Sequence, residues 1–170
     1  MKKISLWLLF CLLVACSQNQ QVYPPVGGLS KEELSVSQNR AKQLNEMERE
    51  QIQSWIAGQD KKFHPTPLNY WSDKDLAQRK DKKNDGEVIS FQYEIYDFDG
   101  VKFYDKPKIY EEVVLGKFKE IEAIEDAVKY LNLGEEVLLL VPSILAYGTY
   151  GDGDQIPHDM PLIVNLKRIK

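Results

Sequence analysis

The sequence predicts an α+β domain in which a curved antiparallel sheet wraps over one short helix, with a separate N-terminal helix ahead of it. Three patterns carry this reading. Ile89, Phe91, Tyr93 and Ile95 alternate with Ser90, Gln92 and Glu94, the period of two that gives a strand one buried face. Leu162, Val164 and Leu166 repeat the pattern near the C-terminus, with Asn165 and Lys167 on the other side. Between them, Ile121, Ile124, Val128 and Leu131 fall at helical spacing, enough for a helix of about three turns. Several antiparallel strands with one helix to cover them form a two-layer α+β arrangement.

The remaining elements follow in chain order. Ser30-Lys31-Glu32-Glu33 resembles a capping box, and helix formers dominate from there through Trp55 until Gly58 offers a stop. Ala41, Leu44, Ile52 and Trp55 share one side of that helix, with Met47 at the edge. This broad, interrupted stripe suits either a brace against the following domain or a dimerisation surface. Lys62-Phe63-His64 and Leu68 to Trp71 are expected to form a first pair of short strands, and a basic loop then runs to Asp85-Gly86. Asp97-Phe98-Asp99-Gly100 is a hairpin signal, with a return strand expected over 101–104. Val113-Val114-Leu115-Gly116 reads as another short strand, Asn132-Leu133-Gly134 as the end of the short helix, and Val137 to Val141 as a buried strand closed by Pro142.

The first sixteen residues have a different character. Lys2 and Lys3 precede an apolar run from Ile4 to Ala15, after which Cys16 opens a polar stretch. A charged start, a short apolar core and small residues before a cut describe an export signal. The run is too short for a membrane span, which needs about 20 apolar residues. Leu13-Val14-Ala15-Cys16 resembles the bacterial lipobox, which implies cleavage before Cys16 and its lipidation. The expected organisation is a signal peptide over 1–15, a flexible tether with Pro24-Pro25 and Gly27-Gly28 over 16–29, the N-terminal helix over 30–58 and the α+β domain over 59–170.

Composition narrows the function. The chain has 22 Lys+Arg and 26 Asp+Glu, a net charge of −4, and losing Lys2 and Lys3 with the leader makes the remainder more acidic still. An acidic domain has no global electrostatic case for nucleic acid. The basic run Arg79 to Lys83 reads as a solvated loop. Cys11 and Cys16 both lie in the N-terminal region, so the domain is expected to have no disulfide. His64 and His158 are the only histidines and show no metal-ligand spacing. Asp152 and Asp154 lack the rest of an EF-hand loop and read as an exposed turn, and the pairs Glu111-Glu112 and Glu135-Glu136 read as surface charge. No metal and no cofactor is expected.

Val141-Pro142-Ser143-Ile144-Leu145-Ala146-Tyr147-Gly148, followed by Ile156-Pro157-His158 and Leu162-Ile163-Val164, resembles the signature of the FK506-binding-protein (FKBP-type) peptidyl-prolyl cis-trans isomerases. Leu115-Gly116, the helix over 121–131, Leu133-Gly134-Glu135, Tyr93 and the Asp99 to Phe103 hairpin match the earlier part of that family. The resemblance covers about residues 60–169 and implies an FKBP-like fold. It also implies that Tyr93 and Tyr147 are catalytic, with Tyr147 giving a hydroxyl donor beside the substrate carbonyl. Phe103 would line the pocket with Tyr93, Ile156 would close it, and Ile121 would offer its backbone N–H. Simple core packing explains Tyr93 and Phe103 equally well when each is taken alone.

The pattern also departs from the family. Ile124 stands where a tryptophan usually floors the pocket, Val164 replaces an aromatic of the last strand, and Tyr104 takes the place of an aspartate, with Asp105 one position later. Glu111-Glu112-Val113 stands where an aromatic normally precedes the Leu-Gly strand. The candidate substrate-binding set is therefore Phe103, Tyr104, Ile121, Ile124, Ile156 and Val164, in a wider and less aromatic pocket.

Such a pocket needs no nucleophile. The peptide rotation barrier is about 18–20 kcal/mol, and prolyl isomers exchange in tens to hundreds of seconds. Reaching milliseconds removes on the order of 7 kcal/mol, from an apolar cavity that desolvates the amide and a donor that holds the twisted carbonyl better than the planar one.

Two functions are expected. One is an isomerase that assists the folding of exported or envelope proteins; the other is a weakly active or inactive binding module or chaperone of the same fold in an envelope machine. The partners are proline-containing polypeptides and, through the lipid, a membrane. The lipoprotein leader and N-terminal helix are similar to the isomerase lipoproteins associated with gliding motility in Bacteroidetes. Ser17 after the cysteine is not an acidic retention signal, which favours the outer membrane, facing the periplasm.

Overall fold

The computed structural model describes residues 30–170; the leader, the tether and Cys16 lie outside the described residues. The described residues fall into two units, one ending at Gln38 and the other Asn39–Lys170, and helix α1 (Lys31–Ala57) contributes residues to each. In the first unit the capping box forms as the sequence predicts. Ser30 N–H donates to Glu33 Oε2 at 2.8 Å and Glu33 N–H donates to Ser30 Oγ at 3.1 Å, so each satisfies a backbone donor of the other. Among the described residues no helix is long and apolar enough to cross a membrane.

The second unit is built on six strands: β1 (His64–Pro65), β2 (Trp71–Ser72), β3 (Val88–Tyr96), β4 (Lys108–Val114), β5 (Glu136–Val141) and β6 (Leu162–Arg168). Their order across the sheet is β1-β2-β5-β6-β3-β4, and every adjacent pair is antiparallel. Helix α2 (Glu122–Ala127) continues into a 3-10 turn over Val128–Tyr130, which together fill the span expected of the short helix. This is the predicted fold class.

The sheet buries both faces. On the inner face Phe91, Tyr93 and Ile95 of β3, Val137, Leu139 and Val141 of β5 and Leu162, Val164 and Leu166 of β6 pack with Ile124, Ala127, Val128 and Leu131 around α2. On the outer face Leu140 and Ile163 meet Ile52 of α1, with Trp55, Ile56, Phe63 and Trp71 around them. Strand β5 is therefore covered on both sides, which accounts for its unbroken apolar run.

Five expectations change. The return strand after the Asp97 hairpin does not form, although the turn does: Val101 and Asp99 donate their N–H groups to Asp97 Oδ1. Only a single bridge links Tyr96 with Lys102, and 103–107 stays irregular up to Pro107, which has no N–H for a ladder. Strand β4 takes the place beside β3 instead, starting at Lys108 and extending the strand expected at Val113. The register of β3 and β4 shifts between Ile89 and Phe91, so that Glu111 and Glu112 together face Ser90. Glu112 sits at φ 50° and donates its N–H to Ser90 Oγ, a β-bulge.

The helical stripe is also different. Ala41 and Met47 are exposed, while Glu48 is buried in line with Leu44, Ile52 and Trp55. Nor is the basic run a solvated loop. Arg79 forks onto Glu135 at 2.7 and 2.5 Å and donates to Tyr130 O, Lys82 pairs with Asp126, and Lys83 Nζ donates to Leu131 O. Glu135, which also accepts from Lys74 and Asn132 N–H, is a network centre rather than surface charge.

Candidate active site

A cleft of about 640 Å³ opens between β3, the irregular 104–107 segment and the loop after Tyr147, and is lined by Tyr93, Glu94, Ile95, Tyr104, Asp105, Lys106, Pro107, Lys108, Tyr147, Asp152, Asp154 and Gln155. The period of two on β3 puts Tyr93 and Ile95 on the inner face, opposite Leu166 and Val164 of β6. Pro107 and the hairpin turn hold the 104–107 wall, and the 3-10 turns over Ser143–Leu145 and Gly148–Tyr150 bend the chain so that Tyr147 reaches the other side.

Of the eight residues expected to contact substrate or act in catalysis, Tyr93, Tyr104 and Tyr147 line this cleft. Ile121, Ile124, Ile156 and Val164 are buried in the apolar cluster that includes Tyr93, and Phe103 packs against that cluster from its edge. Ile124 and Val164 have no exposed surface, so they form the backing of the site rather than its wall.

The hydroxyls are all held neutral. Burial pushes the Tyr93 and Tyr147 phenols well above their ordinary range. Tyr104 is pushed up to about 12 by burial and by its hydrogen bond to Asp152. Tyr93 Oη is buried without a well-formed hydrogen bond among the described residues, and the nearby Glu120 carboxylate adds to burial in raising its pKa. Neutral phenols are donors, which suits a site that must hold a carbonyl rather than attack one.

Asp152 is more than an exposed turn. Its Oδ2 accepts the Tyr104 hydroxyl, and its Oδ1 accepts the N–H groups of Asp154 and Ile156 at 3.0 and 2.9 Å. Burial would raise its pKa, but these donors outweigh burial and hold the carboxyl low. Tyr104, standing where the resemblance leads one to expect an aspartate, thus reaches a carboxylate across the cleft, and one bond ties the 104 wall to the 152 wall. Gly151 (φ 67°) permits the approach: a Cβ there would lie 2.2 Å from Ile156 O.

Two functional residues escape the sequence reading. Tyr110 supplies the aromatic that was expected to be missing before the Leu-Gly strand. It stacks on Phe91 at 5.0 Å and stands 6.4 Å from Tyr93. The bulge at Glu111-Glu112 displaces it from the position where a regular strand would place it. Glu120 is the other. Its side chain is almost fully buried, its Oε2 accepts Tyr110 Oη at 2.5 Å and meets Lys108 Nζ at 3.1 Å, and its Oε1 accepts the Ile121 N–H at 3.1 Å. Burial favours the neutral acid, but these tyrosine and lysine partners outweigh it and keep the pKa low. The backbone donor that the resemblance assigns to substrate is therefore already engaged by a carboxylate. Among the described residues no group of three or more His, Cys, Asp or Glu side chains is placed to hold a metal ion.

The fold and the cleft define the class, and sequence comparison places the chain in it. The family model for FKBP-type peptidyl-prolyl cis-trans isomerase matches residues 79–167. The chain belongs to that family of enzymes. Similar solved structures include a peptidyl-prolyl cis-trans isomerase from Pseudomonas syringae pv. tomato (22% identity, TM-score 0.52, covering 76% of this chain and 93% of that one). FkpA from Escherichia coli superimposes with the same TM-score of 0.52 at 15% identity, covering 84% of this chain and 73% of that one. AtFKBP13 gives a TM-score of 0.50 at 21% identity over 64% and 98% of the two chains. At these identities the structures attest the fold. No curated protein sequence matches the chain.

Proposed function

We propose that this protein is a prolyl isomerase of the bacterial envelope that acts on proline-containing segments of exported polypeptides, lipid-anchored through Cys16. The observation that carries the enzymatic part is the pairing of an apolar backing with neutral phenolic donors on facing walls of one cleft, Tyr93 and Tyr147. A proline ring seated against Ile95 and Tyr93 loses water from its amide. Loss of water disfavours the charge-separated planar bond, and the Tyr147 hydroxyl then donates more strongly to the carbonyl of the twisted form than to that of the planar one. Cis-to-trans relaxation of a short X-Pro peptide tests this directly. The purified protein accelerates it, and Tyr147→Phe lowers kcat/KM by about tenfold, the loss of about 1.4 kcal/mol of transition-state stabilisation. No acceleration at high protein concentration sinks the reading.

A second reading, a binding module or chaperone of the same fold, is favoured by two observations. Glu120 occupies the Ile121 N–H, and the loop carries Ile144 and Tyr150 with most of their apolar surface exposed. Binding of an unfolded chain without rate acceleration would select it.

The leader supports the envelope placement: a charged start, a short apolar run and the Leu-Val-Ala-Cys ending. An acidic body gains little from charge attraction to a membrane, so retention there depends on acyl chains. Metabolic fatty-acid labelling that persists after Cys16→Ala would remove the anchor from the reading. Resemblance to the gliding-motility isomerase lipoproteins extends the proposal to motility components as substrates, placed at the outer membrane. A pulldown from crosslinked envelopes that recovers no such component would count against that extension.

A further inference from the structure

We propose that α1 sets the position of the loop that carries Tyr147 and Ile156, and that Glu48, assisted by Arg40, is a positioning residue for the isomerase site. The loop runs from Ser143 to Asp159, and α1 grips it at both ends. At its start, Ser143 gives both of its donors to one side chain: the N–H to Glu48 Oε2 at 2.7 Å and the hydroxyl to Glu48 Oε1 at 2.5 Å. Glu48 is 3% exposed and Ser143 2%. At its end, Asp159 closes the loop by donating its N–H to Gly148 O at 2.8 Å, and its carboxylate accepts Arg40 Nη2 at 2.7 Å. Residues 40 and 48 lie roughly two turns apart, about 12 Å along the helix axis, a length that spans both ends of the loop.

The cost of this arrangement points to a purpose. Leu44, Glu48, Ile52 and Trp55 recur at helical spacing, so position 48 is the natural place for a leucine in that stripe. A carboxylate there is desolvated, an expense that an apolar residue of similar size would avoid. Burial shows in the Glu48 carboxyl itself, whose pKa is raised by desolvation and further by the neighbouring Asp159, with the Ser143 bonds opposing. Asp159 Oδ1 is buried beside it without a hydrogen bond among the described residues. What Glu48 supplies that leucine cannot is a two-pronged acceptor fixing Ser143, four residues before Tyr147. The exposed Arg40 guanidinium adds direction at the far end rather than stability, as surface pairs do.

The kinetic part of the test rests on the isomerase reading; the exchange part does not. In detergent-solubilised full-length protein, Glu48→Leu is expected to speed amide hydrogen exchange across 143–159 by about tenfold while β5 and β6 keep their protection. Its kcat/KM should fall by about tenfold or more, as small misplacements of a reacting group do, and its thermal midpoint should fall modestly, because the Ser143 N–H and hydroxyl are left buried without their acceptor. Glu48→Gln should stay within about threefold of wild type, because its amide oxygen accepts the Ser143 N–H and its NH2 donates to Ser143 Oγ. Should Glu48→Leu not fold, Ser143→Ala removes one prong, and a smaller rise in exchange confined to the same loop is expected. Unchanged loop exchange in Glu48→Leu or Ser143→Ala overturns the proposal. So does a rise spread equally over β5 and β6, or a Glu48→Gln as impaired as Glu48→Leu. If the wild-type protein does not isomerise, the enzymatic reading fails while loop exchange still decides the role of α1.

Discussion

Glu120 illustrates how one side chain can set the working level of a site. Its Oε1 accepts the Ile121 N–H, so a substrate carbonyl that uses this donor must displace a charge-assisted bond. Glu120→Val frees the N–H, and Lys108, about half exposed, can turn to solvent. The expected result is a rise in kcat/KM of about threefold to tenfold on an X-Pro peptide, worth about 1 kcal/mol. An unchanged rate would show that Ile121 N–H is not used. Such residues were hard to read in the sequence. Tyr93 and Tyr147 could be placed because an alternating strand and a specific Ala-Tyr-Gly block mark them, and Tyr104 because it follows the phenylalanine of the Asp99 to Phe103 hairpin. Glu120 stands in no apolar pattern, just ahead of a helix, and looks like any surface acid. Glu48 left one trace, its place in the 44-48-52-55 series, but a glutamate in a helix is ordinarily solvated.

At the scale of elements, strands and helix were legible wherever one face is buried, because alternation and helical spacing are imprints of that burial. The hairpin return was not, since Val101, Phe103 and Tyr104 have strand-like composition and only Pro107 argues against pairing. Tyr110 was lost for a related reason: counting back by twos from Leu115 passes through Glu111-Glu112, where the bulge adds a residue. The loop 148–157 depends on a close approach that composition cannot show. Gly151→Ala sets a Cβ against Ile156 O at a positive φ, a strain of order 1–3 kcal/mol. It is expected to lower the thermal midpoint modestly and to cut kcat/KM more than stability, because Ile156 and the Asp152 staple both move. Calorimetry with peptide kinetics separates the two, and equal losses would argue that the loop has no special tie to the site.

For the whole molecule, the Arg79–Glu135–Lys74 network ties the segment before β3 to the turn before β5. Hydrogen bonds from Arg79 bring the Glu135 carboxyl down to about 2, from an ordinary 4.5. Because the folded pKa is depressed, the stabilisation is present above pH 4.5 and is lost as pH falls towards 2. It amounts to on the order of 2 kcal/mol after allowing for solvent screening. Glu135→Gln is expected to be less stable at neutral pH and to show a flatter acid limb between those values in denaturant titrations. A parallel acid limb would place the acid sensitivity elsewhere.

The bulge in β4 has a consequence for the company such a molecule keeps. A protein that meets unfolded chains presents them with the two borders of its sheet, and a straight, apolar border invites them to add a strand of their own. One border here is β1, two residues long and ending in Pro65. The other is β4, where Glu111 and Glu112 bend the backbone and place two negative charges on the outermost rung. Neither offers a template long or flat enough to copy, so under the proposed function a chain gripped in the cleft would be released without being recruited into the sheet that holds it.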